Sequence, residues 1–286
     1  MDGALRLMCV FAHPDDESLA FGGTLALSAA QGIEVSLVSA TRGERGWAGD
    51  PAAQPGPREL GRLREAELRA AAHALGARHL TFLDYVDGEL DRAEPSEVVA
   101  KLVAALRRDR PDVVVTFGPD GAYGHPDHIA VSRHATAAVL LAADARYRDP
   151  RGAPPHRVAK LYHRVWTVAE RAAYLAAFPA AGIDVDGERR RWVAWPNWAV
   201  TARLDAADHW PAVWAAVACH RTQLADYEAL SRQSPRRHRA LWGTQQFSLA
   251  MSLVGAGPGV ETDLFAGLRD RPPLAGAFVR ERRRAA

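Results

Sequence analysis

The 286-residue chain is poor in cysteine and in lysine, and each shortage excludes a class of protein. Its two cysteines, Cys9 and Cys219, are too few for a disulfide framework or for a metal site built from thiolates. Lysine occurs only at Lys101 and Lys160, so arginine carries nearly all of the positive charge. The net charge is only +2, which is too weak a bias to indicate nucleic acid as a partner.

The chain also lacks the long apolar segments that direct proteins into membranes or out of the cell. No 18 consecutive residues are apolar, and no basic segment followed by an apolar one precedes the first predicted strand. We therefore expect a soluble, cytoplasmic protein with no membrane span. Internal repeats are absent, and a hydrophobic content of 48% is enough for a sizeable core. The sequence leaves the oligomeric state open, a homo-oligomer included.

Short apolar runs alternate with stretches rich in alanine and leucine, a pattern typical of a parallel sheet covered by helices. Strands are predicted at residues 5–12, 33–40, 79–83, 112–117 and 161–167. Helices are predicted at residues 18–31, 58–75, 96–108, 126–143 and 205–220. We expect an α/β fold in which a Rossmann-like, mostly parallel sheet is flanked by helices.

A single domain is expected over residues 1–286, because the alternation weakens after residue 145 but no linker separates two units. About residues 1–145 are predicted to form the core that carries the polar strand ends. About residues 146–286 are predicted to complete the sheet and to supply a substrate lid. The arginine-rich end, residues 280–286, is predicted to be a solvated tail.

Polar residues follow the first four predicted strands, and ligands bind beyond such strand ends in open parallel sheets. The sequence His-Pro-Asp-Asp-Glu at residues 13–17 follows the first strand, and His-Pro-Asp-His at residues 125–128 lies in the loop after the fourth. Adjacent carboxylates repel each other and are costly to bury. Their position after a buried strand therefore indicates a bound cation.

The spacing of these side chains suits one metal ion. His13 and Asp16 lie three residues apart across a proline turn, and His125 and His128 have the same spacing at a predicted helix start. His13, Asp16 and one of the two later histidines make a site with two imidazoles and one carboxylate. This set suits Zn²⁺, with Fe²⁺ as the alternative, because Ca²⁺ and Mg²⁺ prefer more oxygen ligands.

Both motifs resemble those of the LmbE-like or PIG-L family of zinc-dependent deacetylases, which remove acyl groups, usually acetyl, from N-acylated amino sugars. The resemblance rests on AHPDDE at residues 12–17 and HPDH at residues 125–128. Supporting stretches are TRGERG at 41–46, RLREAEL at 62–68, FLDYVDGEL at 82–90, HRTQ at 220–223 and ETDLFAGL at 261–268. It implies hydrolysis of an N-acetyl group on a small molecule that contains N-acetylglucosamine.

The resemblance also implies roles for individual residues. The zinc ligands it implies are His13, Asp16 and His128. Asp15 becomes the general base that acts on a zinc-bound water. His125, oriented by Asp127 and expected to be protonated, becomes the group that stabilises the oxyanion. Residues expected to bind substrate are Arg42, from its place after the second strand, and Arg64, Asp87 and Tyr123, from the resemblance.

Several residues keep two interpretations. Glu17 is expected to begin a helix and to face its positive end. His220 and Gln223 either reach the site or hold their helix to the sheet. Tryptophans 192, 195 and 198 are expected in the core, with stacking on a sugar as the alternative for one of them. Gln245 and Gln246 depart from the family, since many members have a glutamate near that position.

The sequence argues against two other functions and leaves a third open. A nucleotide-binding, dehydrogenase-like protein needs G-x-G-x-x-G after its first strand, where this chain has His-Pro-Asp-Asp. A non-catalytic binding module would lack a ligand or the base, and neither is missing here. A zinc amidase that acts on a thiol conjugate or an N-acyl peptide could use the same zinc site, so the sequence leaves it open.

Overall fold

The fold is that of a computed structural model, which describes residues 4–149, 152–178, 182–255, 257 and 259–269. Its central sheet contains five parallel strands: β1 (Arg6–Phe11), β2 (Glu34–Thr41), β3 (His79–Tyr85), β4 (Val113–Phe117) and β5 (Lys160–Arg164). They lie in the order β3-β2-β1-β4-β5. Strands β2 and β3 therefore extend the sheet on one side of β1, and β4 and β5 extend it on the other. The gap beyond the ends of β1 and β4 is the switch point at which such sheets bind ligands.

Antiparallel strands from the C-terminal half complete the sheet. These are β8 (Ala202–Asp205) and β9 (Thr244–Ser252). Before them, β6 (Ile183–Val185) and β7 (Glu188–Arg190) form a hairpin that is separate from the central sheet. Strand β9 pairs with β5, and β8 pairs with β9 at the sheet edge. The β6–β7 turn has positive φ at Asp186 (53°) and Gly187 (81°), as a two-residue type I′ turn requires.

Helices cover the sheet. They are α1 (Asp16–Leu19), α2 (Gly22–Ala30), α3 (Pro57–Ala74), α4 (Pro95–Asp109), α5 (Gly121–Gly124), α6 (Pro126–Ala143), α7 (Val168–Ala177), α8 (Trp210–Val217), α9 (Leu224–Ser231) and α10 (Pro235–Trp242). Helices α4 and α6 pack together, and α8 packs on both α2 and α3. Several helices have proline in the first turn, where its missing N–H costs no hydrogen bond.

The two strands at the switch point are buried along nearly their whole length. Every residue of β4 is buried, as is every residue of β1 after Arg6. Apolar runs without polar alternation are what a strand covered on both faces requires. The polar residues that follow these strands are therefore held on a rigid, buried frame.

The predicted fold class is confirmed: a mostly parallel sheet flanked by helices forms a single domain. The five predicted strands and the helices at 58–75, 96–108 and 126–143 are present, with ends shifted by at most three residues. The divisions proposed near residue 145 and for the lid stay predictions. The basic tail at 280–286 lies outside the described residues. Within the described part of the chain, no helix is long and apolar enough to cross a membrane.

Two helix predictions need correction. Residues 18–31 form two helices, α1 and α2, and a side chain at Gly22 or Gly23 would come within 3 Å of Val213 or of the Trp242 carbonyl. This part of the chain therefore meets its neighbours too closely for a larger residue. The helix predicted at 205–220 spans only 210–217, because Asp205 belongs to β8. In addition, the helices α7, α9 and α10 and the strands β6 to β9 were not predicted.

Candidate active site

Three predicted metal ligands meet beyond the end of β1. Nδ1 of His13 lies 3.2 Å from Nε2 of His128. Oδ2 of Asp16 lies 3.7 Å from the first nitrogen, and Oδ1 of Asp16 lies 3.4 Å from the second. Ligand atoms of a tetrahedral zinc site with bonds of roughly 2.0–2.1 Å are about 3.3 Å apart. All three residues are buried. The donor set of two imidazoles and one carboxylate fits Zn²⁺, and the two imidazole nitrogens have the separation that one ion requires.

Local backbone geometry fixes Asp16 in this position. Its Oδ2 accepts hydrogen bonds from the backbone N–H groups of Ala12 (3.2 Å) and His13 (2.8 Å). Asp15, directly before it, has φ of 106°, a value that residues other than glycine rarely adopt. The two neighbouring carboxylates consequently leave the chain in different directions, one toward the histidines and one away from them.

Two further carboxylates hold the other nitrogen of His13. Nε2 lies 3.0 Å from Oδ2 of Asp127 and 3.1 Å from Oδ1 of Asp87. Asp127 is itself fixed, since it accepts the backbone N–H groups of Gly88 (2.8 Å) and Leu90 (3.0 Å). Carboxylates in this position hold a metal-binding histidine in the required orientation and tautomer.

These contacts differ from the roles predicted for the two carboxylates. Asp127 was expected to orient His125 and Asp87 to contact substrate, but both face His13. Burial opposes ionisation of His13, yet the charges and hydrogen bonds of Asp87 and Asp127 raise its pKa well above the usual value. Burial likewise opposes ionisation of Asp87, and the charge of His13 nevertheless holds the pKa of Asp87 well below its usual value.

Possible ligand atoms extend beyond this triad, because His13 has close neighbours on both sides. Ligand atoms of His13, His125 and His128 lie within 4.8 Å of one another, as do those of His13, Asp87 and Asp127. The second set uses the His13 nitrogen that already bonds to Asp127. We therefore take Nδ1 of His13, together with Asp16 and His128, as the candidate metal site.

Asp15 is held by a tyrosine and an arginine. Its Oδ2 accepts hydrogen bonds from the Tyr227 hydroxyl (2.8 Å) and from Nη2 of Arg64 (3.2 Å). Arg64 also donates to the carbonyls of Pro14 and Gly43, and its side chain is 4% exposed. Burial raises the pKa of Asp15, although the charge of Arg64 opposes that shift. Arg64, which was expected to bind substrate, thus lies behind the predicted base and is committed to these contacts.

Tyr227 was not identified from the sequence. It lies 212 residues from Asp15 along the chain, on a helix without a recognised motif. The nearby HRTQ stretch was the only signal in this part of the chain.

The Glu17–His220 pair supports the same turn from beneath. Oε1 of Glu17 lies 2.7 Å from Nε2 of His220, and both side chains are fully buried. Oε2 of Glu17 accepts the backbone N–H of Asp15 (2.9 Å), and Gln223 donates to the Gly46 carbonyl (2.7 Å). Of the two interpretations of His220 and Gln223, the contacts favour a supporting position. Glu17 begins α1 as expected, but its partner is an imidazole.

His125 and Tyr123 form the opposite side of the site. The His125 ring lies 4.7 Å from the rings of both His13 and His128, and the Tyr123 ring lies 5.9 Å from that of His125. Nδ1 of His125 accepts the backbone N–H of Asp127 (3.1 Å). Burial, with the charge of His13, lowers the pKa of His125 to about 3. These surroundings favour a neutral imidazole and not the imidazolium that was expected.

Arg42 is not brought to the metal ligands. It donates to Glu65 (2.6 Å), pairs with Asp84 and lies over the Phe82 ring, at the edge of a separate cleft of about 330 Å³. Of the three tryptophans, Trp192 packs on Tyr123, while Trp198 is 85% exposed, so the prediction of a core position for Trp198 is wrong.

Comparison with known proteins gives a consistent result. The family model described as "PIG-L: GlcNAc-PI de-N-acetylase" matches residues 8–139. The 1D-myo-inositol 2-acetamido-2-deoxy-alpha-D-glucopyranoside deacetylase of Streptomyces griseus is 37% identical over 96% of this chain and 92% of its own length.

Two solved structures share the fold. One is the N,N′-diacetylchitobiose deacetylase from Pyrococcus horikoshii (TM-score 0.64, 21% identity, 86% of this chain and 84% of that one). The other is GalB, the 4-carboxy-2-hydroxymuconate hydratase from Pseudomonas putida (TM-score 0.64, 21% identity, 88% of this chain and 99% of that one). One of these enzymes is named a deacetylase and the other a hydratase, so the two similarities are evidence for the fold alone.

The Glu17–His220 pair yields a stability prediction. Glu17→Gln and His220→Gln should each lower the free energy of unfolding by about 3–5 kcal/mol, because each leaves a buried charge without its partner. The double variant should lose less than the sum of the two. Urea unfolding followed by circular dichroism measures all three. Glu59→Gln, in an exposed pair with Arg62, is the control and should show no measurable change. Strictly additive losses would contradict a direct interaction.

Proposed function

The chain belongs to the PIG-L family of GlcNAc-PI de-N-acetylases, and we propose that it is a metal-dependent hydrolase that removes an N-acetyl group from a small molecule containing N-acetylglucosamine. The observation that carries the proposal is the convergence of His13, Asp16 and His128 beside a separately held carboxylate, Asp15. The name of the Streptomyces griseus relative, a deacetylase of an inositol-linked amino sugar, supports this substrate class.

We propose that His13, Asp16 and His128 hold Zn²⁺, with Fe²⁺ as the alternative. The ion, when bound, acidifies a water molecule and polarises the amide carbonyl. Asp127 and Asp87 keep His13 in place by accepting a hydrogen bond from its Nε2. With the proton on Nε2, Nδ1 is left with a free electron pair for the metal.

Asp15 is the proposed general base. Its hydrogen bonds among the described residues go to Oδ2, which leaves Oδ1 to accept the proton of the attacking water. The water oxygen bonds to the amide carbon, and the proton then passes from Asp15 to the nitrogen as the C–N bond breaks. The products are acetate and the free amine. The hydrogen bonds from Arg64 and Tyr227 aim Asp15 and favour its ionised form against the effect of burial.

His125 is the proposed donor to the oxyanion. Because its Nδ1 accepts the Asp127 backbone N–H, the proton of the neutral ring lies on Nε2. That N–H can donate a hydrogen bond to the oxygen on which negative charge develops. This assignment keeps the predicted role of His125 but uses the neutral ring in place of the imidazolium.

Metal content gives the first test. Protein purified without added metal should contain about one zinc or iron ion per chain, because the three ligands form one site. His13→Ala and His128→Ala should lower that content. His79→Ala, with a side chain that is 56% exposed, should retain it as a control. Elemental analysis makes the measurement, and wild-type protein free of both metals would overturn the metal assignment.

The second test separates base from ligand. Asp15→Asn should keep its metal and lose on the order of 10²–10⁴-fold in kcat, the range of general acid–base catalysis. Asp16→Asn should lose metal and activity together. Metal content and turnover are measured on the same preparations. If Asp15→Asn lost the metal and Asp16→Asn kept it, the two roles would have to be exchanged.

The third test concerns substrate. Released primary amine is measured with free N-acetylglucosamine, substituted N-acetylglucosaminides, N-acetylated peptides and N-acetylated thiol conjugates. A substituted glucosaminide should react faster than the free sugar, on the order of tenfold, because contacts to the substituent help to orient the amide. Reaction of the peptides or thiol conjugates, with all amino sugars unchanged, would establish the amidase alternative instead.

A further inference from the structure

The loop that carries Tyr123 and His125 has a strained backbone. This loop, residues 118–125, joins β4 to α6 and includes the kinked helix α5. Ala122 within it has φ of 66° and ψ of −72°, a combination that residues with a side chain rarely adopt. Such a conformation costs about 1–3 kcal/mol and persists only where the surroundings enforce it. The loop therefore needs support from elsewhere in the chain.

A second segment supplies this support through three hydrogen bonds. Residues 190–195, which we call the strap, begin at the last residue of β7 in the C-terminal half. The bonds run from Arg190 Nη1 to the Gly124 carbonyl (3.1 Å), from the Val193 N–H to the Ala122 carbonyl (2.9 Å), and from Trp195 Nε1 to Asp120 Oδ1 (3.0 Å). The strap thus contacts Asp120, Ala122 and Gly124, and the middle one of these is the strained residue.

The strap is itself fixed to the core. The backbone N–H of Trp195 donates to the carbonyl of Trp166 (2.8 Å), a fully buried residue that follows β5. The Trp192 ring lies 4.6 Å from the Trp166 ring and 5.4 Å from the Tyr123 ring. The rigid end of the sheet is therefore connected through the strap to the loop.

Close approach at Gly124 shows how tightly the two segments meet. A Cβ atom at this position would lie 2.9 Å from Cδ and 3.2 Å from Cβ of Arg190. Gly124 also has φ of 79°, so glycine meets both a steric and a conformational requirement here. His125, the proposed oxyanion donor, is the next residue.

We propose that the strap is a positioning element for the deacetylation, in which Trp195 through Asp120, and Arg190 through Gly124, hold His125 and Tyr123 against the metal site. The inference rests on the proposed function, because only the reaction requires His125 at a defined distance from the developing oxyanion. A displacement of about 1 Å can cost 10²-fold in rate. Neither Trp195 nor Arg190 touches the metal ligands, so their loss leaves metal binding intact.

The decisive variants remove single hydrogen bonds. Trp195→Phe keeps an aromatic ring but lacks the N–H, Asp120→Ala lacks the acceptor, and Arg190→Gln lacks the guanidinium at a half-buried position. Trp195→Phe and Asp120→Ala should each lower kcat about tenfold, with KM changed less than about threefold and metal content unchanged. Asp120→Asn, which keeps the acceptor oxygen, should restore most of the activity that Asp120→Ala loses.

A double variant and a matched control complete the kinetic test. Trp195→Phe combined with Asp120→Ala should lose no more than either single change, since both remove the same hydrogen bond. Trp198→Phe makes the same substitution three residues away at an exposed position and should leave kcat unchanged. A kcat for Trp195→Phe and Arg190→Gln within twofold of wild type would overturn the proposal. So would losses that only follow a fall in metal content.

Hydrogen exchange separates this inference from the proposed function. Backbone amides of residues 118–125 should exchange faster in Trp195→Phe and Arg190→Gln than in wild type, whatever the substrate is. If wild type releases no amine from any amino sugar, the proposed function fails, and the exchange rates still report on the strap. Unchanged exchange in both variants would show that the strap does not hold the loop.

Discussion

His13 is the residue on which the site depends, because its two ring nitrogens serve different partners. Nδ1 faces Asp16 and His128, while Nε2 faces Asp127 and Asp87. This arrangement requires the end of β1, the start of α6 and the loop after β3 to meet at one point. The order of the strands makes that possible, since β1 is the common neighbour of β2 and β4 at the switch point.

Three consecutive carboxylates at the end of β1 are tolerated because each has a different partner. Asp15 pairs with Arg64 and Tyr227, Asp16 joins the two histidines, and Glu17 pairs with His220. The positive φ of Asp15 is what separates their directions. The three neighbouring carboxylates are thus stabilised by distant parts of the chain. The compensating groups come from α3, α6, α9 and the segment that precedes α9.

Features set by spacing along the chain were predictable, and features set by distant segments were not. The i, i+3 spacings of the two motifs and the apolar runs of β1 and β4 sufficed to predict that His13, Asp16 and a histidine of residues 125–128 lie close together. Asp127 was assigned to His125, two residues away, because sequence reasoning favours near neighbours. The fold brings its carboxylate instead to His13, which is 114 residues away. Tyr227 and the strap were missed for the same reason.

The family model covers residues 8–139, which include the proposed ligands, Asp15 and His125. The groups that hold Asp15 and the His125 loop in place, however, include Tyr227, His220 and the strap, all from the C-terminal half. The N-terminal half thus supplies the proposed reacting groups, and the C-terminal half adds to the contacts that fix their positions. Neither half is then a complete active site, since a strained Asp15 and a strained Ala122 both require contacts from beyond residue 145. The same halves also share one sheet, because β9 pairs with β5, although the two most specific motifs both lie in the first half.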